Sequence, residues 1–142
     1  MTAETWTRTL AQFEENLDCL VKMEPALPDS SAKLCRESAH RTLGHLTACQ
    51  SAWLPLMQQL SEGKPTGSIP INPDPLFRKL GYETEAWEPI FDRFIADRSL
   101  WRDLIEQVDV TATIQTTKRL YSAQTLTKRM VDHEKTHLDA LT

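Results

Sequence analysis

Apolar residues recur at gaps of mostly three and four in several stretches of the chain, and each stretch reads as one face of an α-helix. The first carries Trp6, Leu10, Phe13, Leu17 and Leu20, and it stops before Pro25 and Pro28, which cannot continue a helix. The second carries Leu46, Cys49, Trp53, Leu56 and Leu60. Ser38 is its expected N-cap, with a start near Ser30 as the alternative, and it should end near Gly63. Pro55 falls inside this pattern and predicts a kink, because proline has no amide hydrogen and its ring crowds the carbonyl of Ser51. The third stretch carries Trp87, Ile90, Phe91, Phe94, Trp101, Leu104, Ile105 and Val108, with Pro89 tolerated in the first turn. The last begins after the capping residue Ser122 and carries Leu126, Met130, His133, His137 and Leu141.

Two connections separate the later helices. Residues 63–82, GKPTGSIPINPDPLFRKLGY, hold Pro65, Pro70, Pro73 and Pro75 and read as a long irregular segment. Such a segment is either a crossover that walks the chain across the end of a bundle or a lid over a site. In VTATIQTTKRLY, the β-branched Thr111, Thr113, Thr116 and Thr117 disfavour a helix and suit an extended connector. Long amphipathic helices, almost no strand and one long connection predict an all-α fold, a four-helix bundle with a long crossover loop.

Composition narrows the class without changing this picture. The 142 residues fit a single domain spanning 1–142, with 40% apolar and 25% charged residues. A net charge of −4 argues against nucleic acid as a partner, and Lys118, Arg119, Lys128 and Arg129 make only a small basic cluster, read as a solvated face. No stretch approaches the ~18 apolar residues of a membrane span, so no membrane partner is expected. MTAETWTRTL lacks the basic and apolar blocks of a signal peptide. Cys19, Cys35 and Cys49 are odd in number and form no C-x-x-C pair. They read as small core hydrophobes of a protein in the reducing cytoplasm.

The last helix carries the chemistry. His133 and His137 are four residues apart, hence one turn apart on one face, and they share that face with Leu126, Met130 and Leu141. An imidazole buried without a partner is unfavourable by about 1–3 kcal/mol. Either a metal ion or hydrogen bonds to core carboxylates or waters must satisfy the pair. His45 lies beside the apolar stripe of the second helix, one turn before Cys49, where a crossed or antiparallel packing can bring it opposite the last helix. Three imidazoles would leave a coordination position open, the form of a catalytic site. His40, about 140° from His45 around the helix, reads as a surface residue. His133-Glu134-x-x-His137 is also a literal H-E-x-x-H, but only Leu138 to Thr142 follow, too little chain for the downstream ligand of a zinc protease. Glu134 therefore reads as a solvated helix-surface acid.

Two segments carry a resemblance. GHLTACQSAWL, from Gly44 to Leu54, resembles the helix-two signature of the DinB/YfiT superfamily, a His-Leu pair followed by a Trp-Leu pair two turns on. DHEKTHL, from Asp132 to Leu138, is similar to that family's last-helix His-x-x-x-His. The order and spacing of elements match over essentially the whole chain. Glu37-Ser38 stands where the family often has Trp-Ser, so the cap is kept and the aromatic packing is not. The resemblance implies an up-down-down-up bundle, often a homodimer, with a divalent metal ion (zinc, nickel, iron or manganese) held by His45, His133 and His137. It implies an S-transferase or isomerase that uses a low-molecular-weight thiol, and the open site also suits a small hydrolase acting on a small-molecule substrate. The alternative is a non-enzymatic dimerising bundle with a vestigial or structural metal site.

Overall fold

The computed structural model describes residues 1–23, 39–67, 73–82 and 84–141. Four long helices form the bundle: α1 (Ala3–Met23), α2 (Ala39–Ser61), α4 (Trp87–Gln107) and α5 (Ala123–Asp139). A short helix, α3 (Pro73–Lys79), precedes α4, and two short strands, β1 (Thr113–Gln115) and β2 (Leu120–Ser122), precede α5. Pro89 falls in the first turn of α4, as expected, and α2 continues through Pro55. The expected cap Ser38, the alternative start at Ser30, and Pro25, Pro28 and Cys35 lie outside the described residues.

Side-chain pairs fix the direction of each helix. Gln50 of α2 donates to the carbonyl of Phe94 at 3.0 Å, and Ser51 donates to Asp97 at 2.6 Å, while His40 stands against Trp87. Rising numbers on one helix thus meet rising numbers on the other, and α2 and α4 run parallel. His45 meets His137 while Arg129 lies over Trp53, so α2 and α5 are antiparallel. Arg98 lies over Phe13, and Leu20 shares a core cluster with Ile90 and Phe94, so α1 opposes α4. The result is an up-down-down-up bundle. Two parallel neighbours consecutive in the bundle need a long return of the chain, which is why 63–82 is long.

That segment is more regular than its prolines suggest. It contains α3, and Gly63 and Gly81 (φ 77° and 74°) end α2 and α3 in the left-handed conformation. Lys64 donates to the Gln59 carbonyl and Tyr82 to the Phe77 carbonyl, closing the last turn of each helix. Phe77 and Tyr82 are buried against α2. The stretch after α4 is an antiparallel hairpin rather than a simple connector, pairing Thr113 with Ser122 and Ile114 with Tyr121. Ile114 is fully buried, which anchors the hairpin to the core.

Ser122 caps α5 as expected. Its hydroxyl accepts from the Thr125 amide at 3.1 Å, and the Thr125 hydroxyl accepts from the Ser122 amide at 2.8 Å. Ser122→Ala should lower the unfolding free energy by about 1 kcal/mol, read as a lower urea midpoint at unchanged slope.

Among the described residues the core has two buried clusters. One holds Phe13, Leu56, Trp101, Leu126 and Val131, and the other Leu20, Leu46, Trp87, Phe94 and Leu138. On α5 the first cluster ends at Val131 and the second resumes at Leu138, so His133 and His137 fall between them.

Candidate metal centre

The antiparallel crossing of α2 and α5 brings His45, His133 and His137 together. His133 Nε2 lies 3.1 Å from His137 Nε2 and 3.4 Å from His45 Nε2. The rings of His45 and His137 are 4.6 Å apart between centroids. All three side chains are half-buried. A ring nitrogen offers one proton or one in-plane lone pair and so serves one neighbour by hydrogen bonding, whereas Nε2 of His133 faces two other ring nitrogens. A single ion would serve all three. Zinc–nitrogen bonds of about 2.0–2.1 Å at angles of about 90–109° put ligand nitrogens about 2.8–3.4 Å apart, and both measured separations fall in that range.

Burial and the adjacent His137 hold the His133 pKa below the usual imidazole value, Glu134 partly opposing them. A neutral imidazole is the form that binds a metal.

Cys49 was expected to be only a small core residue. It is buried, but its Sγ lies 3.6 Å from His45 Nε2, and the ligand atoms of His45, Cys49 and His133 all fall within 4.8 Å of one another. The signal was present in the chain: Cys49 follows His45 by four residues, the spacing of His133 and His137.

Glu134 corrects the surface reading. It is 1% exposed and paired with Arg98 Nη2 at 2.6 Å. Asn16 of α1 donates to the same carboxylate oxygen at 3.0 Å and to the Val131 carbonyl at 3.1 Å. Arg98 in turn lies 4.3 Å from the Phe13 ring centroid and 4.8 Å from that of Phe94. Glu134 thus ties α5 to α1 and α4 through one carboxylate oxygen, a role that sets the rotation of α5. His40 is also buried, edge-on to Trp87, because α2 is covered by α3 and α4 as well as by α5.

A cavity of about 290 Å³ opens beside the histidines, lined by Cys49, Trp53, Arg129, Met130 and His133. Arg129 stacks over Trp53 at 5.2 Å, so it belongs to the cavity rim rather than to a featureless basic face. Among the described residues, none from 63–82 lines this cavity, so α3 packs on α2 as a crossover, and residues 68–72 lie outside the described set. No helix among the described residues is long and apolar enough to cross a membrane.

The fold has a solved counterpart. YfiT from Bacillus subtilis, described as a probable metal-dependent hydrolase with an unusual four-helix bundle topology, superimposes with a TM-score of 0.79. The match covers 99% of this chain and 86% of that one at 9% identity, which is a likeness of fold. No curated protein matches the sequence. The sequence pattern of the DinB superfamily, however, runs along this chain from residue 2 to residue 141, and on that match the chain belongs to the DinB superfamily.

Proposed function

We propose that His45, His133 and His137 hold a divalent metal ion and that the protein is a metal-dependent hydrolase of a small molecule that enters through the cavity beside His133. The convergence of three ring nitrogens at 3.1 and 3.4 Å carries this reading. The description of YfiT as a probable metal-dependent hydrolase supports it. A bound ion would supply Lewis acidity, bringing the ionisation of a water or a thiol towards neutral pH. The chain's own residues do the rest. The Arg98–Glu134 pair and Asn16 hold α5 in rotation, so that both of its histidines face α2. Gln50 and Ser51 fasten α2 to α4 and thereby aim His45. Trp53 and Met130 give the cavity an apolar wall, and Arg129 places a cation at its rim.

The same centre would activate a low-molecular-weight thiol, so S-transfer is the second reaction to assay, and a homodimer is the assembly implied with it. Metal-loaded protein should hydrolyse members of a panel of small esters and amides, and His137→Ala should lose both the metal and the turnover. Metal-loaded protein inactive on the panel and in thiol-transfer assays would favour the binding-module alternative. Full metal content in His137→Ala would overturn the ligand set.

A further inference from the structure

The two crossing helices each present a pair of donors one turn apart. His45 and Cys49 lie on α2, and His133 and His137 on α5. Because the helices are antiparallel, the two pairs face each other, with His45 against His137 and Cys49 beside His133 at the cavity. The sulfur is not merely near. In a tetrahedral zinc site with bonds of about 2.0–2.1 Å to nitrogen and about 2.3 Å to sulfur, the nitrogen–sulfur edge is about 3.6 Å long. Cys49 Sγ lies 3.6 Å from His45 Nε2, on the cavity side of the cluster. His45 Nε2 therefore faces both the thiol and His133 Nε2, and one ring nitrogen cannot satisfy both by hydrogen bonding.

We propose that Cys49 is a fourth ligand of the metal, an inference that rests on the three-histidine centre proposed above. On binding, the thiol loses its proton to solvent as the metal–sulfur bond forms. A substrate group that displaced the sulfur would break that bond and leave the sulfur to take a proton back from solvent. Cys49 would then hold the cavity-facing side of the centre, where a substrate group enters. A thiolate in the set also favours zinc, cobalt or nickel over manganese.

Cobalt(II) loading tests this without any assay of activity, since a thiolate bound to cobalt gives an intense near-ultraviolet charge-transfer band and imidazoles do not. Wild type should show the band, Cys49→Ser should lose it while keeping its helical circular dichroism and its cobalt, and Cys19→Ser and Cys35→Ser should keep it. Cobalt bound without the band, or a band that survives in Cys49→Ser, overturns the fourth ligand and leaves the histidine centre standing. Cobalt held equally well by His137→Ala, with the band intact, overturns the three-histidine set and leaves Cys49 as a ligand. Wild type that takes up no cobalt overturns both. If Cys49→Ser loses its helical signal, Cys49→Ala replaces it in the same comparison.

Discussion

Glu134→Ala is expected to lower the unfolding free energy by about 3–5 kcal/mol, the usual consequence of stranding one charge of a buried pair. Arg98 and Glu134 are 1% and 2% exposed in their side chains, and Arg98 Nε and Nη1 already have no hydrogen-bond partner among the described residues. Removing the carboxylate leaves a guanidinium between Phe13 and Phe94 with no counter-charge to face. Against a typical domain stability of about 5–15 kcal/mol this is a large fraction, and it corresponds to a fall in melting temperature of about 10–15 °C. Replacing both partners, as Arg98→Met with Glu134→Leu, should recover most of the loss, because apolar side chains of similar volume meet no desolvation penalty there. Urea unfolding followed by circular dichroism measures both. A single variant that loses less than about 1 kcal/mol would show that the pair does not tie α5 to α4. Because Glu134 follows His133 directly in the chain, the same variant should also bind metal more weakly.

Chelation is expected to lower the melting temperature by about 8 °C near neutral pH and to do little at about pH 5. A ligand at a hundredfold excess over its dissociation constant stabilises the folded state by about 2.7 kcal/mol, and a domain of this size shifts by about 3 °C per kcal/mol. The pH dependence follows from the histidines. Burial, then the charge of His137, push the His133 pKa down in the folded protein, so the unfolded chain takes up a proton there more readily. The stability that depends on the neutral ring is complete above the unfolded value of about 6.5 and is lost as pH falls below it. Metal acts in the same direction, since it binds only the neutral ring. The two buried core clusters remain without the ion, so the chelated protein should stay helical. His137→Ala should melt at the same temperature with and without chelator. An equal chelator effect in wild type and His137→Ala would place any metal elsewhere.

Helical periodicity made much of this molecule legible before any fold was seen. The four long helices fall where gaps of three and four place them, Ser122 caps α5, and Gly63 closes α2. His133 and His137 were readable as a pair because both belong to one helix, whose geometry sets their relation. His45 was a candidate from its place beside the apolar stripe of α2, and the resemblance is what named it a ligand, since nothing local says which helix will cover it. Periodicity relates residues on one helix; it is silent on which neighbour packs against a face. That choice made the differences. With α3, α4 and α5 all lying against α2, its far side is interior, so His40 is buried. Glu134 looks like a solvated acid until Arg98, 36 residues away, meets it inside the bundle. Cys49 looks like an ordinary small core residue until the antiparallel crossing sets its sulfur beside the imidazoles of His45 and His133. Charge compensation and ligand geometry are relations between helices, and they exist only once the bundle has closed.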